Sequence, residues 1–319
     1  MSSNRGTIFL EQARVLSQLA YDAEQFVLRL AAPKCAAHAA PGSFVHITCD
    51  PSVPMRRPLS IMRAAAAAGW IELLYKVVGP GLHALAARKA GDEVSVLGPI
   101  GRPFVPHAER PRTLLLGGGV GIPPMVFLAE RLSAQNHEAA AAARAAAGSG
   151  TAAAGSGTAA AGQALRVSWK PLVLMGSEVP FPFRTRPSAL ILPGMPADTL
   201  ACMPLLEEWG VPSRLASCSD FPGCFSGFVT ELADAWLGSL GPAELAEVEI
   251  FSCGPTPMLA ASAALARRYG VPCQVSLEEF MACAVGGCAG CTVQVRTPDG
   301  PAMKRVCVDG PVFDAYSVF

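Results

Sequence analysis

Three cysteines near the C-terminus, Cys283, Cys288 and Cys291, are spaced C-x4-C-x2-C, and a fourth, Cys307, follows after a short segment. No other feature restricts this chain so tightly. One short loop has to turn three thiolates inward onto a common core, and the spacing is that of a plant-type [2Fe–2S] cluster. Gly286, Gly287 and Gly290 suit such a loop, because glycine accepts positive φ and lets backbone N–H groups approach the sulfurs. Those donors, together with burial, set the reduction potential. Residues 292–296 alternate as a strand, Thr297-Pro298-Asp299-Gly300 is a turn, and residues 303–308 return, a hairpin that brings Cys307 back to the loop. Structural zinc sites draw on C-x2-C pairs, and only Cys288/Cys291 forms one. Disulfides require an oxidising compartment, of which the sequence carries no sign. The expected metal ligands are Cys283, Cys288, Cys291 and Cys307.

A length of 319 residues allows two or three domains with ample core. Twenty-five basic residues balance 25 acidic ones and no basic run occurs, which argues against a polyanion-binding protein. Arg5, Glu11 and Arg14 interrupt the apolar residues of the N-terminus, so it does not read as a signal peptide. No unbroken apolar run outside the Ala-rich tracts approaches the length of a spanning helix. Eleven cysteines, an odd number without an export signal, point to a reduced, cytoplasmic setting with ligand thiols. Cys35, Cys49, Cys202, Cys218, Cys224 and Cys273 carry no recognisable spacing and read as structural.

From residue 13 to about 107 the chain reads as short strands joined by turns. Residues 25–30 and 43–47 alternate on either side of a Pro41-Gly42 turn, and further strands are expected at 71–78 and 93–97. This pattern predicts a small antiparallel barrel. Arg57-Pro58-Leu59-Ser60 sets a fixed cation near a hydroxyl, with proline stiffening the bend. Tyr75-Lys76-Val77-Val78-Gly79-Pro80-Gly81 ends a strand in a glycine turn whose N–H groups can meet phosphate. Leu97-Gly98-Pro99-Ile100-Gly101 reads as a second rigid turn. Taken singly, each patch also reads as a surface charge or a plain turn.

The next segment has α/β rhythm. Residues 112–116 form an apolar strand that runs into Gly117-Gly118-Gly119-Val120-Gly121-Ile122-Pro123-Pro124, and a helix to about Ser133 is expected with proline in its first turn. Strand, glycine loop and helix turn N–H groups and the helix dipole toward an anion. Pro124 stands where the third glycine of Gly-x-Gly-x-x-Gly would be. Strands at 172–176 and 213–216 and a helix through Leu237 follow. A strand over 247–253 then ends in Cys253-Gly254-Pro255 ahead of a helix to about Tyr269. That puts a thiol and bare backbone at the carboxyl edge of a parallel sheet, where open α/β sheets bind ligands; on its own, Cys253 equally reads as a small buried apolar residue. Residues 137–163 are nearly all Ala, Gly, Ser and Thr, and read as a mobile surface insertion with alanine runs helical in part.

Taken together, these patches resemble the ferredoxin–NAD(P) reductase superfamily. Arg57-Pro58-Leu59-Ser60 is similar to its flavin motif, residues 97–101 to the turn closing its barrel, residues 117–124 to its pyrophosphate loop, and Cys253-Gly254-Pro255 with Met258 to its nicotinamide-side motif. The resemblance implies that Arg57 binds the FAD phosphate and that Ser60 sits by N5 of the isoalloxazine, with Leu59 in place of the usual tyrosine. It implies FAD contacts from Arg57, Pro58, Leu59, Ser60, Tyr75, Lys76, Val77, Gly79, Gly81 and Leu82. It further implies NAD or NADP contacts from Gly118, Gly119, Gly121, Pro124, Cys253, Gly254 and Pro255, and catalytic roles for Ser60 and Cys253.

The domain order, together with Arg56 to Ile61, Tyr75 to Gly79 and the Lys304-Arg305-Val306-Cys307-Val308-Asp309-Gly310-Pro311-Val312-Phe313 tail, narrows the resemblance to the electron-transfer subunits of NAD-dependent, heteromeric dihydroorotate dehydrogenases. It implies an FAD-binding barrel over 1–108, an NAD(P)-binding Rossmann-like α/β domain over 109–270, and a [2Fe–2S] subdomain over 271–319. Electrons would pass between NAD, FAD, the cluster and the FMN of a separate catalytic subunit, in a cytoplasmic heterotetramer serving pyrimidine (UMP) biosynthesis. Small residues around the cysteines, with apolar groups at 310–313 and 316–319, are expected to form the docking face. Gly79-Pro80-Gly81-Leu82 departs from the family's Gly-x-Gly-Thr and leaves backbone amides to hold the pyrophosphate. Residues 177–225 fit the pattern poorly, so NAD and NADP both stay open. Subunits of NADPH-linked sulfide dehydrogenases and electron-bifurcating transhydrogenases share the layout, which keeps an NAD(P)H-dependent flavin/iron–sulfur oxidoreductase with another acceptor as the alternative.

Overall fold

Alternation of apolar and polar side chains over the first hundred residues closes six strands into a barrel. The structure, a computed structural model, describes residues 6–148 and 167–319. Strands β1 (Phe9–Tyr21), β2 (Gln25–Ala31), β3 (Phe44–Thr48), β4 (Arg57–Ala65), β5 (Trp70–Lys76) and β6 (Glu93–Ile100) pair in the closed order β1-β2-β5-β4-β3-β6. Inward positions such as Leu28, Val45, Ile47, Leu59, Ile61, Leu73 and Val96 fill the barrel. Helix α1 (Pro33–His38) follows β2, and α2 (Gly79–Ala86) follows β5. The stretch read as a turn at 97–101 is mostly strand: β6 continues to Ile100, pairing with Phe9 at Gly98 and with Phe44 at Ile100. The chain turns only at Gly101, whose φ of +97° favours glycine.

The second unit is a seven-stranded sheet. β7 (Arg112–Gly118) leads into α3 (Ile122–Gly148), then β8 (Leu172–Gly176). A short antiparallel pair follows, β9 (Arg186–Pro187) with β10 (Ala201–Cys202), then α4 (Pro204–Glu208), β11 (Ser213–Ser217) and β12 (Phe225–Ser226). Helices α5 (Val229–Gly238) and α6 (Pro242–Leu245), β13 (Val248–Cys253), α7 (Thr256–Tyr269) and β14 (Cys273–Ser276) complete the α/β part. The cluster segment adds the hairpin β15 (Thr292–Thr297)/β16 (Gly300–Arg305), then β17 (Val312–Asp314) and α8 (Ala315–Val318). Sheet order is β12-β11-β8-β7-β13-β14-β17, parallel except for β17. Successive strands leave β7 on opposite sides, so the crevice for a ligand lies at the carboxyl ends of β7 and β13.

Two expectations shift. Helix α3 runs past Ser133 to Gly148 and takes in the first part of the 137–163 insertion, as alanine's high helix propensity favours; positions 149–163 of that insertion lie outside the described residues. The boundary expected at 270/271 falls between β13 and β14 of one sheet, so the cluster segment is partly built into the nucleotide-binding unit.

The barrel is fixed to the sheet by charge as well as packing. Arg63 on β4 donates to Glu130 Oε1 on α3 at 2.7 and 2.9 Å, and its guanidinium lies over the Trp209 ring. Gln25 on β2 donates to the Pro180 carbonyl at 2.7 Å. Among the described residues no helix is long and apolar enough to cross a membrane.

Candidate functional site

Residues 57–60 lie along β4, where register decides what each side chain faces. Leu59 opposes Val45 and points into the barrel core. Ser60 opposes Phe44, and Pro58 opposes His46, so these four share the outer face. Phe44 belongs to the core that also holds Met281, Ala284, Cys291 and Cys307. The flavin-motif strand therefore presents its Ser60 face toward the cluster segment. The Leu59 side chain is buried in the barrel.

Arg57 sits where β4 begins. Its Nη1 donates to the Met55 carbonyl at 2.8 Å, and its guanidinium lies flat against Gly81, where a Cβ would be 3.0–3.1 Å from Nη2, Cζ and Nε. Glycine at 81 lets the guanidinium come this close. Gly79 opens α2 at φ +72° with empty space around it. A fixed cation beside exposed helix N-terminal N–H groups is a cradle for a diphosphate. Behind it, Gln18 donates from Nε2 to the carbonyls of Leu85, Ala86 and Arg88 at the other end of α2, and accepts from Tyr75 Oη at 3.0 Å. Tyr75 is 1% exposed and stacks on Phe26, and Val77 and Leu82 are buried too. These three were expected among the ligand contacts. Their side chains lie in the barrel core, because alternate residues of β5 point into it, which leaves their backbone to meet a ligand; Lys76 stays half-buried at the rim.

At the switch point two turns interlock. A Cβ on Gly121 would lie 2.5 Å from the Gly254 nitrogen, with the Cys253 carbonyl closer still. On Gly254 it would lie 2.8 Å from Met258 Sδ, and on Gly118 it would also overlap that sulfur. These glycines let one turn pack on the other. Gly119, at φ +54° with nothing within 4 Å, is the position that faces open space. Pro124 is buried in the first turn of α3, and Pro255 is exposed at the start of α7. Cys253 is fully buried, so its thiol lies beneath the edge rather than on it. Burial first, and then the charge of Glu278, push that thiol well above its usual range, against the pull of a Ser276 hydrogen bond.

The four cluster cysteines come together in pairs. Cys283 Sγ accepts from the Cys288 N–H at 3.4 Å, and the two side chains are within hydrogen-bond reach. Cys291 and Cys307 are likewise side by side, with Val306 N–H donating to the Cys291 carbonyl at 3.0 Å. Among the described residues no three such groups converge as a single metal ion requires. Two thiolates per metal is the ligation of a [2Fe–2S] group, whereas zinc gathers four ligands about one ion. The donor set fits the cluster. Burial raises the Cys283 thiol, but N–H donors from Val285, Cys288 and Gly287 outweigh it and bring the group down to about 7. Burial, followed by the neighbouring Cys291, pushes Cys307 up to about 12. The loop curls through Gly286 at φ +84° and through Ala284 and Ala289 at +56°, so two alanines take turns expected of Gly287 and Gly290. Gly290 still donates its N–H to Cys288 Sγ at 3.4 Å.

The apolar groups at 310–313 and 316–319 are partly buried or buried. Phe313, Tyr316, Val318 and Phe319 pack on the chain's own core, and Tyr316 Oη donates to the Val271 carbonyl at 2.5 Å. The apolar groups left bare in the segment that carries the cluster cysteines are Phe280 (94% exposed), Val285 and Met303, and among those cysteines Cys288 is the exposed one.

Sequence reasoning missed two residues here. Glu278 lies near enough to act on Cys253, and desolvation raises its carboxyl although its side chain still reaches solvent, as in a crevice. His46, 0% exposed, has no hydrogen-bond partner on either ring nitrogen. A histidine inside an alternating strand gives no signal of its own; only register shows which face it takes.

Residues 278–319 match a family model described as the iron–sulfur cluster binding domain of dihydroorotate dehydrogenase B. The dihydroorotate dehydrogenase B (NAD(+)) electron transfer subunit of Caldanaerobacter subterraneus subsp. tengcongensis is 30% identical over 280 residues, covering 87% of this chain and 86% of that one. The subunit of the same name from Bacillus mycoides is 31% identical over 279 residues, covering 86% and 84%. Among solved structures, an NADH-dependent reduced ferredoxin-NADP oxidoreductase studied for flavin-based electron bifurcation aligns with a TM-score of 0.69 at 22% identity, over 97% of this chain and 90% of that one. The ferredoxin reductase of carbazole 1,9a-dioxygenase aligns at 0.55 and 21% identity, over 83% and 67%. These two establish likeness of fold.

Proposed function

This chain belongs to the family of dihydroorotate dehydrogenase B (NAD(+)) electron transfer subunits, and we propose that it links NAD to the FMN of a separate dihydroorotate dehydrogenase catalytic subunit through its own FAD and [2Fe–2S] cluster. As an oxidoreductase subunit it works in pyrimidine biosynthesis, in a cytoplasmic heterotetramer. Nicotinamide exchanges a hydride, a cluster passes single electrons, and a flavin bound between them does both. One observation carries the reading: the three sites adjoin. Ser60 lies opposite Phe44, Phe44 shares a hydrophobic core with Met281, Cys291 and Cys307 of the cluster segment, and Cys253 lies beside Ser276 and Glu278 at that segment's start.

The residues divide the work. Arg57 and the N-terminus of α2 bind the diphosphate of FAD, held in place by Gln18 and Tyr75. Ser60 offers its hydroxyl to the reacting edge of the ring. The turns at Gly118–Gly121 and Cys253–Pro255 hold the dinucleotide at the switch point, with Gly119 as the open approach. The four cysteines hold the cluster in two pairs. Phe280, Val285 and Met303, exposed apolar groups of the segment that carries the cluster cysteines, support docking of the catalytic subunit on that segment. The folding units are taken as 1–108, 109–270 and 271–319, the last sharing the sheet. All eleven cysteines are free, in keeping with a reducing compartment.

The test is co-expression with the FMN subunit of the same organism. The expected product is a stable complex with about one FAD and two irons per copy of this chain and NAD-dependent dihydroorotate oxidation. Cys288→Ser should abolish that activity while artificial acceptors are still reduced at the FMN. A chain that loads FAD and iron yet neither binds the FMN subunit nor confers NAD activity would leave the dihydroorotate assignment wrong.

A further inference from the structure

Arg305 ends β16 two residues before Cys307, and its side chain reaches across to the loop that carries the other three cluster cysteines. Its Nη1 donates to the Gly286 carbonyl at 2.8 Å. That carbonyl belongs to the peptide group whose N–H is on Gly287, and the Gly287 N–H is one of the donors to the Cys283 sulfur. The preceding N–H, on Gly286, faces Cys307. One guanidinium is therefore bonded to one end of a peptide group whose other end is turned to a cluster ligand. The backbone around Arg305 fixes where that guanidinium starts. Arg305 pairs with Thr292, next to Cys291, across the hairpin. Its own N–H donates to Asp309 Oδ2 at 2.9 Å, and its carbonyl accepts from the Val308 and Asp309 N–H groups at 3.0 and 2.7 Å, in the turn that holds Cys307. Gly286 takes φ +84°, and a Cβ there would lie 2.6 Å from Val308 Cγ2 and 3.4 Å from Arg305 Nη1, so glycine lets the loop close on both.

Hydrogen bonds in series polarise one another, and a bond from a charged donor is the stronger kind. A peptide carbonyl held by a guanidinium leaves its N–H a better donor to sulfur. One-electron reduction adds negative charge to a cluster and its sulfurs, so a better N–H donor stabilises the reduced form more than the oxidised one. Resting on the [2Fe–2S] reading above, we propose that Arg305 is a positioning residue that raises the cluster's reduction potential by holding and polarising the Gly286–Gly287 peptide against Cys283. The guanidinium's direct field contributes less. Its side chain is 42% exposed, with the Asp309 carboxylate 3.9 Å from Nε, and solvent screens a charge so placed. A higher potential makes the cluster a readier acceptor from a reduced flavin and a weaker donor to an oxidised one.

The test compares wild type with Arg305→Met and Arg305→Lys in the complete complex. The cluster's midpoint potential is read by EPR-monitored titration at low and at high salt. Arg305→Met should shift the equilibrium toward the oxidised cluster about tenfold, a midpoint lower by about 59 mV for one electron. Arg305→Lys, which keeps a charged donor for the Gly286 carbonyl, should restore most of that difference. The Arg305→Met shift should persist in about 1 M salt, where exposed charges act over only about 3 Å, because the route through the peptide is bonded. A shift that disappears in salt would make Arg305 a surface charge and overturn the peptide route. An unchanged midpoint in Arg305→Met would overturn the proposal outright. Should Arg305→Met hold no cluster, Arg305→Gln takes its place as a neutral donor: a midpoint below wild type supports the role, and an unchanged one overturns it. A wild-type complex that holds no iron would instead overturn the cluster reading itself.

Discussion

Replacing Gly121 by alanine should separate the nucleotide turns while leaving the rest of the chain intact. The added Cβ would stand 2.5 Å from the Gly254 nitrogen and nearer to the Cys253 carbonyl, against an ordinary contact of 3.4–4 Å. Something must therefore move by about an ångström, and nothing near is soft. One side is the carboxyl end of the central strand β13; the other is the first turn of α3, anchored by Ile122 and Met125 at 1% and 0% exposure. Overpacking of that kind costs about 1–3 kcal/mol. A cost of about 2 kcal/mol corresponds to a melting temperature lower by about 4–8 °C. Because the two turns form the crevice at the switch point, NADH affinity should fall at least about tenfold, which is about 1.4 kcal/mol. FAD and iron contents, which depend on other loops, should not change. The control is Gly119→Asn: φ is +54° there with open space around, and asparagine tolerates that region, so flavin-depleted protein should melt within about 2 °C of wild type. Differential scanning calorimetry and NADH titration measure both effects. If Gly121→Ala matches wild type in melting temperature and affinity, the turns do not interlock and the glycines have another reason.

Ser60→Ala should keep FAD but slow flavin reduction by NADH about 10–1000-fold, as for loss of one positioned polar group, read by stopped-flow absorbance. Arg57→Ala should instead yield FAD-poor protein, since a charge-assisted bond worth about 1.5–3 kcal/mol is lost; fluorescence titration with FAD gives the affinity. His46 supplies a pH signature. Its folded value of about 4 lies below the usual 6.5, lowered first by burial and then by Arg56 and, more weakly, Arg57. Above pH 6.5 neither state is charged. Between 6.5 and 4 the unfolded chain takes up a proton that the fold refuses, so stability falls by up to about 3 kcal/mol through this group. Urea midpoints at pH 7 and pH 4.5 should converge in His46→Phe; an equal acid loss in both proteins would refute it.

Spacing made the chemistry legible, and register made it spatial. The C-x4-C-x2-C run could be read directly because few loops need three thiolates so close together, and the glycine turns at 117–121 and 253–255 because close approach leaves only glycine. What could not be read was which way a strand residue points. Tyr75 and Leu59 belong to quoted motifs yet face the barrel core, while His46, which belongs to none, faces the cluster segment. A slip of one residue exchanges the two faces of a strand, and a motif fixes identity without fixing the face. The alanines at 284 and 289 show the same limit in the loop: the sequence points to glycine for left-handed turns, and the fold takes two of them at alanine.

The outer face of β3 and β4 is where separate parts of the sequence meet. Phe44 and Ser60 form one directly opposed pair, and His46 and Pro58 form the next. Phe44 ties that face to Cys291 and Cys307 through the shared core, and Met281 ties it to Cys283 through His46. Across the sheet, β14 carries Ser276 from beside Cys253 into the same segment. A cluster subdomain hung from a linker could shift relative to the flavin. Here β14 and β17 are sheet strands, β14 hydrogen-bonded to β13 and β17 to β14, and the cluster loop departs from between them. Moving the loop would mean breaking part of the nucleotide-binding sheet. Rigidity of this kind favours electron passage within the chain, and of the four cluster cysteines Cys288 is the exposed one.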